Sequence, residues 1–404
     1  MSADEWREVR LEDVILFNPK ESLAKNQLAK KIAMERLKPS NKIIDGYEIA
    51  EFKGGTKFRN GDTLFARITP CLENGKTAQV SILDENEVGF GSTEYIVLRE
   101  KPKESFKDFI YYLSISPRFR DIAVKSMIGT SGRQRVQQDV LENTKIPMPD
   151  LDEQKAIAAT LSCLDDKIEL NNRINKTLEE MAQAIFKSWF VDFEPFQDGE
   201  FEDSELGMIP KGWRVESLDN IADFLNGLAM QKHRPKNEEY LPVIKIKELN
   251  QGLTDMNSDK ARADIPEQYI IQDGDVVFSW SGTLMVKIWS GGVGGLNQHL
   301  FKVTSDKYDK WFYYMWTLNH LEKFRAIAKD KATTMGHIKR NHLSESKVLI
   351  PKNSDMKMLS GIMNPIFNHI IEISVQNGNL KAIRDTLLPK LMSGEIRVPI
   401  EEAD

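Results

Sequence analysis

Phe109-Ile110-Tyr111-Tyr112-Leu113 and Trp311-Phe312-Tyr313-Tyr314-Met315 are one phrase written twice, 202 residues apart. The offset holds downstream. Lys145-Ile146-Pro147-Met148-Pro149 answers Lys347-Val348-Leu349-Ile350-Pro351, and Ile157, Leu161, Leu164, Ile168, Leu178 and Ile185 fall without a gap on Leu359, Met363, Ile366, Ile370, Leu380 and Leu387. This period is far too long for a solenoid, so the chain reads as a duplicated unit, a domain followed by a helix, and duplication predicts a pseudo-twofold molecule. Upstream the match loosens. Trp6-Arg7 with Leu11 and Val14 answers Trp213-Arg214 with Leu218 and Ile221 at an offset of 207, and Asn60-Gly61-Asp62-Thr63-Leu64-Phe65 answers Asp273-Gly274-Asp275-Val276-Val277-Phe278 at 213. The drift places insertions between strands, in loops, where change is tolerated and binding specificity resides.

Short apolar runs broken by turn signals, such as Asn60-Gly61-Asp62, Val88-Gly89-Phe90-Gly91 and Glu94-Tyr95-Ile96-Val97-Leu98, predict a mixed, strand-rich domain over residues 1–150. A helix is expected across residues 106–126, where Phe106, Phe109, Ile110, Leu113, Phe119, Ile122 and Ala123 fall mostly at helical spacing. The pattern returns over residues 206–351. The fold class is therefore α+β.

Between the domains the periodicity changes. Ile157, Leu161, Leu164, Ile168, Asn171, Asn175, Leu178, Ala182, Ile185 and Trp189 step by four and three, the seam of a coiled coil. The second copy reads Leu359, Met363, Ile366, Ile370, Ile373, Asn377, Leu380, Arg384, Leu387 and Leu391. A helix from Leu151 to Phe190 would be roughly 60 Å long at 1.5 Å per residue. Its stripe needs a cover, either its own globule or the other helix, and a twofold axis favours antiparallel pairing of the two. Asn171, Asn175 and Asn377 lie in the seam, where a polar residue costs stability but pins register. The expected boundaries are 1–150 and 206–351 for the domains, 151–193 and 352–398 for the helices, 194–205 for an acidic, solvated, mobile linker, and 399–404 for a tail. The linker carries seven acids and no base between Asp192 and Glu205.

Nothing in the sequence compels catalysis: no Asp/Asn-Pro-Pro-aromatic motif of an amino-methyltransferase occurs, and nuclease clusters of acids plus lysine are too degenerate to read by eye. Gly75-Lys76-Thr77 lacks the upstream glycine of a phosphate loop, since Pro70 stands there, and reads as a turn. Gly291-Gly292-Val293-Gly294-Gly295 reads as a hairpin connection. His337 and His342 are five apart and so on different helical faces, and Cys71 and Cys163 form no Cys-x-x-Cys pair, so neither a metal nor a disulfide is expected. No cofactor is expected either. The opening residues resemble no signal peptide and no apolar run has the length of a span, which makes the cytoplasm the default and a membrane partner unexpected. The net charge of −6 argues against a surface basic all over, but clustering on one face is what nucleic acid requires.

Matched loops supply such a cluster. Gly129 to Arg135 corresponds to Lys331 to Arg340. Arg and Gln read guanine and adenine edges in pairs of hydrogen bonds, while Ser, Thr and Lys hold phosphates. The DNA-facing candidates are Arg133, Gln134 and Arg135 in one half and Thr333, Thr334, His337, Lys339 and Arg340 in the other. Arg67 and Thr69 join the first group, and Trp280, Ser281 and Thr283 the second. The alternative for either loop alone is a solvated surface.

Four motifs now carry a family likeness: Ile146-Pro147-Met148-Pro149-Asp150-Leu151-Asp152-Glu153-Gln154-Lys155-Ala156-Ile157, then Phe186-Lys187-Ser188-Trp189-Phe190-Val191-Asp192-Phe193, then Leu206-Gly207-Met208-Ile209-Pro210-Lys211-Gly212-Trp213, and finally Leu387-Leu388-Pro389-Lys390-Leu391-Met392-Ser393-Gly394-Glu395-Ile396-Arg397-Val398. Together they resemble the specificity subunit of type I restriction-modification systems across almost the whole chain. The resemblance implies two target-recognition domains, each reading half of a split site in double-stranded DNA, alternating with two helices that pair antiparallel, dock two methyltransferase subunits and set the spacer. Restriction and translocase subunits would join through that complex, and the chain itself would be non-catalytic. Asp152, Glu153 and Gln154 would meet a methyltransferase; the second helix has Asp355-Met356-Lys357 instead. Two rivals are a fused restriction-modification enzyme, which would need a methyltransferase motif on this chain, and a partner-binding scaffold whose recognition domains no longer read DNA.

Overall fold

The computed structural model describes residues 6–39, 41–130, 132–330 and 336–399, and the chain divides into two compact units. Unit 1 comprises residues 1–167 and 380–404; unit 2 comprises residues 168–379. Each contains one globular domain, and each contains parts of both long helices.

The unit 1 domain is built on two four-stranded sheets. One runs Ile15–Phe17, Tyr95–Glu100, Thr63–Ala66, Thr77–Gln79, all antiparallel. The other runs Glu48–Glu51, Leu28–Ile32, Gly89–Gly91, Thr56–Phe58, and its central pair is parallel. Arg7–Arg10 pairs with Lys145–Met148 as a separate ribbon. Unit 2 repeats this order strand for strand: Asp223–Asn226, Leu300–Thr304, Val276–Ser279, Met285–Ile288 in one sheet, and Lys260–Arg262, Tyr240–Ile244, Gly294–Leu296, Ile270–Ile271 in the other, again with a parallel centre. Arg214–Ser217 and Lys347–Ile350 form its ribbon. The duplication read from sequence is therefore a duplication of topology.

Three local expectations are corrected. The helix expected over 106–126 is two helices, Lys107–Ile115 and Pro117–Lys125. Pro117 lacks the N–H that a continuing helix would use and forces Ser116 into an extended conformation. The acidic stretch is no loose connector: Phe201–Ser204 pairs with Gly207–Pro210 in a hairpin, and Lys211 Nζ reaches Glu200 at 2.5 Å. The run from Gly291 to Gly295 is not a hairpin either. It carries the chain from one sheet to the other, because Gly294–Leu296 pairs with Tyr240–Ile244 and Ile270–Ile271 rather than with Met285–Ile288.

The first long helix is Leu151–Phe190 and the second Asn353–Ser393. The first starts where Asp150 accepts a hydrogen bond from the Glu153 amide at 2.8 Å, satisfying a first-turn donor. The second stops before Gly394, whose φ of +76° reverses the chain at little steric cost. Both covers considered for the apolar stripe are used at once. In unit 1, Ile157, Ala158 and Leu161 of the first helix share a core with Leu388, Leu391 and Met392 of the second and with Leu11, Phe65, Phe109 and Phe119 of the domain. In unit 2, Ala182, Phe186 and Phe190 meet Leu359, Met363 and Phe367 together with Trp213, Trp311 and Trp316. Within each unit the helix parts run antiparallel: Asp165 meets Arg384 and Glu153 meets Arg397 in unit 1, and Asn171 meets Asn377 and Asn175 meets Ser374 in unit 2. Among the described residues no helix is long and apolar enough to cross a membrane.

Candidate nucleic-acid interface

The strand Thr63–Ala66 runs out into Arg67-Ile68-Thr69 at the place where Ser92-Thr93-Glu94 enters its antiparallel neighbour Tyr95–Glu100. Arg67 N donates to Glu94 O at 3.0 Å. A third segment closes over them. Ile68 pairs with Arg135 and Ile128 pairs with Arg135, while Thr69 N donates to Gln134 O at 3.0 Å and Val136 N to Arg67 O at 2.9 Å. Gly129, at φ +140°, lets this segment turn, since a Cβ there would lie 2.8 Å from Arg133 O.

Unit 2 builds the same three-segment end. Trp280 to Thr283 follows Val276–Ser279, Asn297 to His299 precedes Leu300–Thr304, and Ser281 pairs with His337. Gly282 N donates to Gly336 O and Ile338 N to Trp280 O, both at 3.0 Å. The two loops expected to act together in each half are thus joined by backbone hydrogen bonds. The middle segments, Ser92-Thr93-Glu94 and Asn297-Gln298-His299, were missed by sequence reasoning. Following the strand-to-strand match of Tyr95 onto Leu300, an offset of 205, would have found them.

The side chains differ between the halves. In unit 1, Arg135 is held by Glu94 in a forked contact, Nη2 to Oε1 at 2.7 Å and Nε to Oε2 at 3.0 Å, and these bonds raise the Arg135 pKa above that of an ordinary guanidinium. Its charge is therefore already met by an internal acid. Arg67 Nη2 donates to Val136 O at 3.2 Å. Thr69 is only 8% exposed and its hydroxyl accepts from Gln134 N, which makes it a brace for the loop and removes it as a contact residue. Arg133 is exposed, and its guanidinium has no hydrogen bond to any described residue; Gln134 is half-buried and Thr93 exposed.

In unit 2, Trp280 packs its ring on Phe301 and His299, with centroids 5.8 and 6.0 Å apart, and donates to Asn226 Oδ1 at 3.0 Å. Ser281 is buried and bonded to His299 Nδ1 at 3.1 Å, so it too is a brace. Arg340 spends one Nη on Phe224 O at 3.2 Å, and its guanidinium lies 6.0 Å from the centre of the Phe301 ring. Thr283, His337 and Lys339 are exposed. Thr333 and Thr334 lie outside the described residues. The two ends offer guanidinium, amide, imidazole and hydroxyl groups, the set that reads base edges and holds phosphates.

The triplet expected at a docking surface divides. Asp152 is exposed, with 72% of its side chain accessible. Glu153 and Gln154 are buried and fully engaged inside unit 1, which takes them off that surface. Glu153 accepts from Trp6 Nε1 at 3.0 Å and from Arg397, and Gln154 donates to Glu104 O and Pro149 O at 3.1 and 3.0 Å. Unit 2 repeats the indole contact: Trp213 Nε1 donates to Asp355 Oδ2 at 3.0 Å. Asp355 is thus the counterpart of Glu153, at the common offset of 202, and not of Asp152. Of the seam asparagines, Asn171 Nδ2 donates to Asn377 Oδ1 at 2.9 Å, Asn377 Nδ2 to Asn172 Oδ1 at 2.9 Å and Asn175 Nδ2 to Ser374 Oγ at 2.9 Å.

Residues 3–180 and 210–379 match the type I restriction modification DNA specificity domain. The chain is 30% identical over 312 residues to the type I restriction enzyme MjaIX specificity subunit of Methanocaldococcus jannaschii, covering 74% of this chain and 71% of that one. It is 24% identical over 409 residues to the HindI specificity subunit of Haemophilus influenzae, covering 84% and 87%. The fold is similar to the crystal structure of the type I restriction-modification system S subunit from M. genitalium, with a TM-score of 0.54, 15% identity and 97% of each chain covered.

Proposed function

The chain belongs to the type I restriction modification DNA specificity domain family, and from that membership we propose that it is the non-catalytic DNA-reading subunit of a type I restriction-modification complex. Each recognition domain reads one half of a bipartite site in double-stranded DNA through its three-segment end. The long helices dock two methyltransferase subunits, through which restriction and translocase subunits join, and they set the spacer between half-sites. Asp152, exposed at the start of the first helix, belongs to the docking surface. Asn171, Asn175 and Asn377 fix the register on which the spacer depends. The complex works in the cytoplasm, where the host DNA is.

One observation carries this proposal. The same backbone hydrogen-bond pattern is built at the same strand ends in both units, while the side chains it presents differ: Arg67, Glu94 and Arg135 in one, Trp280, His299 and His337 in the other. A constant frame with varied contact residues suits two readers of two different half-sites. The test is reconstitution. The purified chain alone should transfer no methyl group and cut no DNA, whereas co-expression with a methyltransferase subunit should give methylation at one bipartite sequence. Methyl transfer by the isolated chain would overturn the assignment, and a stable complex that methylates without sequence preference would favour the scaffold.

A further inference from the structure

The duplication makes every helix contact comparable with its counterpart, and one pair of counterparts is chemically opposite. In unit 1, Arg384 Nη1 donates to Asp165 Oδ1 at 2.7 Å, with 3% and 9% of the two side chains exposed. Tyr112 donates its hydroxyl to Asp165 Oδ2 at 2.7 Å, and Arg384 also binds Asp385 at 2.8 Å. Shifting by 202 residues turns Asp165 into Phe367 and Arg384 into Ala182. Those two lie in one apolar cluster of unit 2, where Tyr314, the counterpart of Tyr112, sets its ring edge-on to Phe367 at 5.5 Å. A second charged contact shows the same polarity. Glu153 of the first helix binds Arg397, just beyond the end of the second, whereas the residue at the counterpart of Arg397 is Pro195.

We propose that the buried Asp165–Arg384 pair, seconded by Glu153–Arg397, confines each long helix to the other as its partner and excludes pairing between like helices of two copies of this chain. The seams are otherwise alike enough to permit the error. If two first helices paired antiparallel, Asp165 of each would face Ala182 of the other, and two carboxylates would be buried with no cation. Two second helices would set Arg384 against Phe367 twice. A buried charge stripped of its partner is strongly destabilising, whereas an apolar pair of similar volume in its place is close to neutral. Two first helices would also leave Glu153 opposite Pro195, whereas two second helices would still set Asp355 against Arg397, so Glu153–Arg397 opposes only the first of these errors and Asp165–Arg384 opposes both.

The test uses full-length chains carrying two different affinity tags, unfolded together, refolded, and passed over both resins. Wild type should give almost no doubly tagged material. D165F/R384A makes every such site Phe against Ala, so like and unlike pairings become equivalent there, and the doubly tagged fraction should rise by roughly an order of magnitude or more. A folded D165F/R384A that sorts as cleanly as wild type overturns the proposal. A second experiment does not depend on that variant folding: D165R and R384D chains refolded together should recover soluble mixed dimers, each first helix taking the other chain's second, well above what either yields alone. Failure to recover them would also overturn it.

Discussion

Glu94→Gln should strengthen DNA binding, because the carboxylate it removes is the one that occupies Arg135. Nε and Nη2 of Arg135 both engage Glu94, at 2.7 to 3.1 Å. The amide of glutamine can keep one hydrogen bond but no charge, so the substitution adds one uncompensated cation to the loop end. The pair is partly exposed, with 44% and 25% of the side chains accessible, and folding should not depend on it. If the freed guanidinium meets one more phosphate, the log–log dependence of affinity on salt steepens by about 0.9. Between 200 and 50 mM salt the variant should then gain about 3.5-fold more affinity than wild type gains, the fourfold dilution raised to the power 0.9. Fluorescence anisotropy of the complex with the methyltransferase subunits on a random-sequence duplex, titrated at four salt concentrations, measures both quantities. Arg135→Ala should move them the opposite way, because it leaves Glu94 bare, and E94Q/R135Q should return to wild type. An unchanged slope in E94Q would refute the placement of this loop against DNA.

Three further outcomes are expected. Arg384→Met strands Asp165 in the core and should cost about 3 to 5 kcal/mol, a fall of roughly 6 to 20 °C in the melting temperature for a unit of this size; the loss should shrink in acid, where the stranded carboxyl protonates, and D165N/R384M should recover much of it. His320, whose ring nitrogen bonds Lys347 O at 2.9 Å, has its pKa lowered from 6.5 by burial, so its neutral form contributes stability that is fully present above pH 6.5 and lost as pH falls through the lowered value. Thermal melts of wild type and His320→Gln from pH 7.5 to 5 should therefore show the wild-type advantage declining with acidity. Finally, four residues inserted after Asn172 need a matching four just before Asn377, since these asparagines are hydrogen-bonded to each other and the helices run antiparallel. The double insertion adds about 6 Å of helix and should lengthen the preferred spacer by one or two base pairs, at about 3.4 Å of DNA each, with the half-site bases unchanged in methylation maps.

The duplication was legible because it is written in bulky residues: Tyr111, Tyr112, Trp311 and Phe312 fill matched cores and tolerate little change. The long helices were legible because their four-three stepping can be seen without knowing what covers it. Glu153 and Gln154 were expected at a docking surface because the family likeness implied it, and a motif match carries no information about burial. Glu153 is held by Trp6 and Arg397, which lie 147 and 244 residues away in sequence, and Gln154 by Glu104, 50 residues away. Glu94 was hidden for a related reason. It stands at the head of an apolar strand and reads as punctuation, until pairing of Ala66 with Tyr95 brings it beside Arg67 and Arg135. Asp165 lies one position beyond Leu164 in the seam, and its value comes only from a cation on the other helix. The acidic stretch after the first helix misled because charge density was weighed above the alternation around Gly207 that lets Phe201–Ser204 fold back.

The central claim, that this chain chooses the DNA sequence and each recognition domain chooses half of it, is tested most directly by base-resolution methylation maps of a host carrying the wild-type gene, lacking it, or carrying a version with substitutions confined to Thr283, Gln298, His337 and Lys339. The account predicts one bipartite motif that vanishes on deletion and, in the substituted host, keeps the unit 1 half and the spacer while the other half changes or relaxes. Methylation that survives deletion of the gene, or substitutions in unit 2 that alter both halves alike, would contradict it.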